Sequence, residues 1–407
     1  MTELKVYRGG GSFEKLAVTD MLMRLNRSRS IVALPFSPER MSLIADISTT
    51  LRASPRIGDR PSLAYFAHWT RSTALRALAT RFKETAAPGT LSAPRGVVLH
   101  FPPRNVETMF LFSWAVSYMV GNVNVVRLPS DQTGMVMEVV DLLVSRLSGV
   151  EGGADMFVCY PAEDGLNRAL SRACDARIVW GGDAKIQAFE SLPLRCGGKS
   201  IWFGDRYSYS VMSGQALSLA EPQELTALAH KLMADIFTFD QMGCSSPHKI
   251  YVVGDAQAHW PRVAALLEAV DSAARRRGTH IPVAHAIRKL TEALVLAGSG
   301  DAFVPQLSGE LISVIFSQPR QVEDRVGGGF VVVEFISDLA TLASMVQPTH
   351  QTLTYYGFAP SELTDFAKSA IVAGLSRIVP VGQALDFDVV WDGYDLTREL
   401  TRTVRVR

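Results

Sequence analysis

The feature that most constrains the fold is a series of short apolar runs that begins near residue 95. Gly96-Val-Val-Leu-His-Phe101, Asn122-Val-Asn-Val-Val-Arg-Leu128, Met156-Phe-Val-Cys-Tyr160 and Arg177-Ile-Val-Trp180 are rich in β-branched residues and do not alternate with polar ones. Between them lie stretches with helical spacing, about Val106 to Val120 and Gly134 to Leu147. A strand that is apolar on both sides must be covered on both sides, and helices between such strands imply parallel connections. The pattern predicts a doubly wound α/β sheet of nucleotide-binding type, although no GxGxxG fingerprint is present. A second α/β unit starts at about residue 207. It carries a helix from Glu221 to Phe237, a strand from His248 to Val253, a helical region from Trp260 to Leu296, and strands near Leu311 to Phe316 and Phe330 to Phe335. Within the helical region, Arg275-Arg-Arg277 reads as a solvated helix face.

The expected domains are therefore residues 1–206, a helical segment and dinucleotide-binding domain, and 207–380, a catalytic domain, with 381–407 as a return segment. Residues 1–94 read as helical and mixed, with no clear chemistry. Gly9-Gly-Gly11 reads as a turn and not as a phosphate loop, because no strand and helix bracket it.

Composition narrows the function classes. A chain of 407 residues with 47% hydrophobic and 20% charged residues is long enough for two or three globular domains. A net charge of +1 gives no reason to expect nucleic acid or an anionic membrane as partner. The four cysteines form no CxxC pair, and the eight histidines form no HExxH pattern, so reduced thiols and no metal are expected. The most apolar run, Met109 to Val120, is shorter than the ~20 residues a spanning helix needs. With no signal pattern at the N-terminus, a cytoplasmic protein without a membrane span is expected.

One cysteine stands apart. In Asp240-Gln-Met-Gly-Cys-Ser-Ser-Pro247, Cys244 sits on a loop of small residues just before an apolar strand. Cys159 and Cys174 read as small buried hydrophobes. Small neighbours leave the Cys244 sulfur accessible to an acyl group, and its thiolate would be the nucleophile.

This loop, together with Leu194-Arg-Cys-Gly-Gly-Lys-Ser200, resembles the active-site signatures of the aldehyde dehydrogenase superfamily. With Arg377-Ile-Val-Pro-Val-Gly-Gln-Ala-Leu-Asp-Phe-Asp-Val-Val-Trp-Asp-Gly-Tyr-Asp395, it is similar to the LuxC-type acyl-CoA reductases, the fatty-acid reductase branch of that superfamily. The resemblance covers roughly residues 95 to 407. It implies a cofactor-binding domain, a second α/β catalytic domain, and a cleft between them.

Several site residues follow from the resemblance. Gly121-Asn-Val-Asn-Val-Val-Arg-Leu-Pro-Ser130 looks like the Gly-Asn-x-x-x-x-Lys-Pro segment, with Arg127 at the position of a ribose-holding lysine. Ser130 falls where many members carry an NAD-selecting acidic residue, and an arginine without that carboxylate favours the 2′-phosphate of NADPH. Arg127 also fits a surface arginine at a strand end. Ile178-Val-Trp-Gly-Gly-Asp183 looks like the Phe-Thr-Gly-Ser turn, which puts Gly181 and Gly182 beside the nicotinamide; a plain strand-to-helix turn would want glycine too. Phe101-Pro-Pro-Arg-Asn105 is similar to the Pro-Trp-Asn motif, so Asn105 would join the Cys244 backbone N–H in an oxyanion hole, or would cap a helix. Glu323-Asp324 is a further candidate for a ribose contact. Arg195 replaces the glutamate that activates water in the family, so hydrolysis to a free acid is not expected.

The resemblance thus implies NADPH-dependent reduction of an acyl thioester, on coenzyme A or a carrier protein, to an aldehyde. An acyl-activating enzyme is an expected partner, and self-association is expected. An acyl-phosphate reductase and a non-catalytic acyl-carrier docking subunit remain as alternatives.

Overall fold

The structure, a computed structural model, describes residues 3–56, 60–103, 106, 108–129, 134–148, 154–161, 163–279, 281–298, 302–304, 309–320, 325–370 and 373–406. The chain forms two compact units, Met1–Gly204 with Phe387–Arg407, and Asp205–Asp386.

The first unit opens with a hairpin of β1 (Glu3–Gly9) and β2 (Ser12–Ala17), then four helices, α1 (Val18–Ser28), α2 (Pro38–Ala53), α3 (Pro61–Trp69) and α4 (Ser72–Glu84). Next come β3 (Thr90–Pro94), β4 (Val97–Phe101), α5 (Met109–Met119), β5 (Val123–Arg127) and α6 (Gly134–Leu147). The series continues through β6 (Met156–Cys159), α7 (Asp164–Ala173), β7 (Ala176–Trp180), α8 (Asp183–Glu190) and β8 (Lys199–Phe203).

These strands form a seven-stranded sheet in the order β2-β1-β6-β5-β4-β7-β8. The five strands from β6 to β8 are parallel, and β4 and β7 are direct neighbours. Chain order runs outward from β4 in both directions, so the sheet is doubly wound and its topological switch point lies between β4 and β7.

The N-terminal segment departs from its helical expectation, because the hairpin joins this sheet antiparallel, Lys5 opposite Cys159 and Val6 opposite Val158. Alternation in Glu3-Leu-Lys-Val6, with Leu4 and Val6 buried and Glu3 and Lys5 exposed, is the strand period that signals it. The Gly9-Gly-Gly11 run is the turn between β1 and β2. Its Gly10 N–H donates to Asp141 Oδ1 at 2.7 Å, and Gly11 N–H donates to Tyr7 Oη at 2.8 Å.

All eleven residues of α5 are buried, and its Ser113 and Trp114 join polar groups of the strands beside it in an internal network. His100 sits 3.2 Å from Ser113 Oγ and 3.0 Å from Asn124 Oδ1. Asn124 Nδ2 and Trp114 Nε1 donate to Asp155 at 3.0 and 2.7 Å. Burial pushes His100 down to about 4 and raises Asp155, so the network favours a neutral imidazole at pH 7. Asn122, in the Gly-Asn segment, accepts from Gly96 N–H at 3.0 Å and donates to Leu400 O at 3.0 Å.

The second unit contains β9 (Tyr207–Ser213), α9 (Gly214–Leu219), α10 (Pro222–Phe237), β10 (Pro247–Val253), α11 (Ala256–Arg276) and α12 (Val283–Ala297). It continues with β11 (Ala302–Phe303), β12 (Ile312–Phe316), β13 (Phe330–Ile336), α13 (Leu339–Met345), β14 (His350–Tyr356), α14 (Pro360–Ala370) and β15 (Arg377–Pro380). Its sheet has the order β11-β12-β13-β10-β9-β14-β15, parallel except for the β11–β12 pair. One core lies between α10, α11 and this sheet, around Leu232, Ile236, Val252, Val270 and Val333. The three arginines at the end of α11 are exposed, as expected for a solvated face.

The chain then returns to the first unit through β16 (Val390–Trp391), β17 (Tyr394–Asp395), α15 (Leu396–Glu399) and β18 (Thr401–Arg405), the last paired antiparallel with β3.

Candidate active site

Within the second unit, Cys244 lies at the edge formed by the N-terminal ends of the parallel strands. The loop leaves α10 through two non-glycine residues in the left-handed region, Asp240 (φ 50°) and Gln241 (φ 62°). Such backbone is held only when its surroundings fix it. Here the side chain of Gln241, fully buried, does so. Its Nε2 donates to Pro247 O at 2.8 Å and Phe330 O at 2.9 Å, and its Oε1 accepts from the N–H groups of Gly329 and Phe330, each at 3.0 Å. One amide thus ties the start of the cysteine loop, the start of β10 and the start of β13 together.

The run Gly327-Gly-Gly329 is the other half of this clamp. Gly328 N–H donates to Asp240 O at 2.9 Å. A Cβ on Gly329 (φ +84°) would lie 2.5 Å from both Glu310 O and the Phe237 ring, so only glycine fits. A turn from Gly243 O to Ser246 N–H, 3.0 Å, encloses Cys244, and Ser208 Oγ donates to Cys244 O at 2.7 Å. Ser245 and Ser246 are buried while Cys244 remains half-buried on this turn.

Aromatic side chains line the same sheet edge. His248 stacks on Tyr207 with ring centroids 5.6 Å apart, His350 lies 4.9 Å from Tyr209, and the Arg325 guanidinium lies 5.6 Å over the Tyr207 ring. Burial, then the Arg325 charge, pushes His248 down to about 4. A neutral His248 at pH 7 supplies no cationic partner for a thiolate, and Arg325 carries the positive charge of this cluster.

The C-terminal block of the resemblance is a loop braced against α10. Asp235 accepts from Gly382 N–H at 2.6 Å and Ala384 N–H at 3.0 Å, and Arg377 donates to the carbonyls of Gln383, Ala384 and Asp386. Burial raises Asp235 to about 7.

Within the first unit, the candidate cofactor residues that are described, Arg127, Gly181 and Gly182, lie at the C-terminal ends of β5 and β7, near the switch point where doubly wound sheets bind nucleotides. Arg127 ends β5. Its Nη2 donates to Tyr160 O at 3.3 Å, its guanidinium lies 4.9 Å over the Tyr160 ring, and its buried Nε–H has no partner among the described residues. Gly181 and Gly182 lead from β7 into α8, with Gly182 as the residue before the first turn. Lys185, one turn into α8, folds back so that its Nζ donates to Trp180 O at 2.6 Å and Pro102 O at 3.3 Å. A Cβ on Gly181 would lie 2.5 Å from Lys185 Cδ, so glycine leaves that lysine room to lie along the strand ends.

Asn105, Ser130 and Glu323-Asp324 lie outside the described residues. Arg195 forms an ion pair with Asp175, whose other oxygen accepts from Val97 N–H at 2.8 Å and Arg29 Nε at 3.3 Å. That pairing ties the segment before β8 to the start of β4. Cys174 is fully buried, and burial pushes its thiol up; Cys196 is exposed and Cys159 half-buried. Among the described residues no group of His, Cys, Asp and Glu could hold a metal ion, and no helix is long and apolar enough to cross a membrane.

Residues 76–405 match the family of acyl-CoA reductases of the LuxC type. This chain belongs to the LuxC acyl-CoA reductase family. A LuxC-type chain is an oxidoreductase of aldehyde-forming acyl reduction, and its substrate class is the acyl thioester. A search of curated protein sequences gives no match.

Solved structures place the LuxC-type chain in the aldehyde dehydrogenase fold. It is similar to an oxidoreductase from Marinobacter aquaeolei, with 12% identity, a TM-score of 0.69, and 99% of this chain and 94% of that one covered. An E. coli NADP dependent enzyme matches with 13% identity, a TM-score of 0.69, and coverage of 99% and 94%. Aldehyde dehydrogenase 21 from Physcomitrella patens, solved with the product succinate, matches with 10% identity, a TM-score of 0.67, and coverage of 96% and 90%.

Gln241, Lys185 and the Gly327–Gly329 run are the site residues that sequence reasoning missed. A signal existed for Gln241, a neutral amide beside a nucleophile loop with a glycine triplet ahead of a later strand. Nothing local in the sequence connects the two.

Proposed function

We propose that this protein reduces an acyl thioester to an aldehyde with NADPH, through an acyl group carried on Cys244. The observation that carries the proposal is the half-buried Cys244 on a turn fixed by the four hydrogen bonds of Gln241.

The Cys244 thiolate attacks the thioester carbonyl, and the tetrahedral oxyanion is stabilised by the Cys244 backbone N–H and, by the family resemblance, the Asn105 amide. Collapse forms the Cys244 Sγ–acyl bond and breaks the bond to coenzyme A or a carrier thiol, whose thiolate leaves and takes up a proton. NADPH, when bound, supplies the hydride that reduces the acyl carbon. The oxygen of the resulting Cys244 adduct is an alkoxide, and its collapse breaks the Cys244 Sγ–carbon bond, releases the aldehyde and returns the thiolate.

The residues at the ends of β5 and β7 suit a dinucleotide. The buried Nε–H of Arg127 has no partner among the described residues, which leaves a donor for an anionic oxygen. Arg127, with Ser130 by resemblance, would hold a 2′-phosphate, and Gly181 and Gly182 would let the backbone approach the nicotinamide side. Residues 1–206, 207–380 and 381–407 would act as cofactor, catalytic and return segments of a cytoplasmic, self-associating enzyme served by an acyl-activating partner.

The test is a two-stage assay. Incubation with acyl-CoA without NADPH, then intact-mass and peptide analysis, should find the acyl adduct on Cys244; adding NADPH should discharge it as aldehyde. An adduct only on Cys159, Cys174 or Cys196 would overturn the proposal.

A further inference from the structure

Helix α12 is amphipathic in the inverted sense. Its inward face buries Lys289 with Ala293 and Leu296, and the Lys289 Nζ is satisfied by Glu310 O at 2.5 Å. Its outward face carries Val283, Ile287, Leu290, Leu294 and Val295, with exposures of 71, 61, 39, 53 and 63%. Of the exposed positions of this helix, only Arg288 is charged. A helix normally turns its charges to water and its apolar stripe to the core. Here a buried lysine is retained beneath while branched aliphatic side chains stand in solvent.

The spacing of the exposed stripe is four, three and four residues from Val283 to Leu294, the a/d pattern of a helix that packs on another helix. The flanking exposed residues Ala284, Ala286 and Thr291 are small and uncharged, which permits close approach. We propose that this face is a dimerisation surface, on which α12 packs antiparallel against α12 of a second copy of this chain. The inference gives a surface to the self-association proposed above and rests on that reading.

A second copy is favoured over other occupants for three reasons. A two-fold interface needs a patch complementary to itself. The four-three-four spacing is unchanged on reversal, so an antiparallel copy brings Val283 opposite Leu294 and Ile287 opposite Leu290. With Arg288 as its one exposed charge, the face has no basic fringe of the kind that holds a helix on an anionic membrane. The five side chains expose about 500 Å² per copy, so pairing would remove about 1,000 Å² in total, close to the lower end of specific interfaces.

The test compares the parent protein with Ile287→Glu/Leu294→Glu by sedimentation velocity across a concentration series. The parent is expected to sediment at twice the 44.4 kDa chain mass or a higher even multiple. The variant should fall to half the parent's assembly, with dimer dissociation shifted about 100-fold or more, because each copy would bury two unpaired carboxylates. Circular dichroism checks that the variant is folded. If it is not, the pair Ile287→Cys/Leu290→Cys carries the test, since mild oxidation should cross-link two copies whereas either single cysteine should not. A parent that stays at the single-chain mass at all concentrations sinks both the self-association and the surface. A folded variant that assembles like the parent, or an unlinked cysteine pair in a parent dimer, sinks the surface alone.

Discussion

Replacing Gln241 by methionine isolates the clamp that fixes the nucleophile loop. Methionine nearly conserves volume, so the change removes hydrogen bonds without opening a cavity. Four bonds are lost, to the carbonyls of Pro247 and Phe330 and from the amides of Gly329 and Phe330. At about 1 kcal/mol each, and with the backbone partners left buried, the cost is about 4 kcal/mol, a large share of the 5–15 kcal/mol that holds a domain. The loop should also lose its left-handed entry at Asp240 and Gln241, which the amide holds in place. The assay is hydrogen exchange of Gly329 and Phe330 with a parallel measurement of Cys244 alkylation. Exchange should accelerate about 10³-fold, the equivalent of that free energy, and the alkylation rate should change with it. If exchange stays within tenfold of the parent and Cys244 alkylates at the parent rate, Gln241 does not position the loop.

Further outcomes follow from the same geometry. Cys244→Ser should abolish aldehyde formation and the acyl adduct while leaving NADPH binding intact, because a hydroxyl is far less nucleophilic than a thiolate; titration of NADPH fluorescence and a thioester turnover assay report the two separately. Arg127→Glu should lower the ratio of NADPH to NADH kcat/KM, and an unchanged ratio removes Arg127 from the ribose site. In the parent, the acyl-enzyme should persist without NADPH and return to added coenzyme A, since a well-placed general base contributes about 10²–10⁴-fold to hydrolysis and, on the resemblance to the aldehyde dehydrogenases, that position would be held by Arg195; prompt release of free acid would contradict this. His248, lowered from 6.5 to about 4 by burial and Arg325, stays neutral in the folded state. Its contribution is present above pH 6.5 and is lost as pH falls toward 4, so His248→Gln should lessen the parent's loss of stability between pH 7 and pH 5 by about 2 kcal/mol. Equal pH dependence in the two proteins would refute the assignment.

The sequence determined the parts of this protein that have a local physical cause. Unalternating β-branched runs such as Val97–Phe101 and Val123–Arg127 are strands because both faces must be covered, and the regular helices between them make the sheet parallel. The loop of small residues around Cys244 was legible for the same reason, since small side chains leave a sulfur accessible whatever surrounds them. The alternation in β1 is equally local, although the segment that follows it is helical. Tertiary structure alone decided the rest. Chain order gives no spatial order, so only the assembled sheet shows β4 beside β7 and hence gathers Arg127, Gly181 and Lys185 at one set of strand ends. Gln241 is separated from Phe330 by 89 positions, and its four bonds exist only because β10 and β13 pair. Arg195 has a local identity but a distant partner in Asp175, and α12 has a periodicity whose outward aim is set by the burial of Lys289. Burial, pairing and charge compensation depend on what the rest of the chain brings alongside, and no window of sequence contains that.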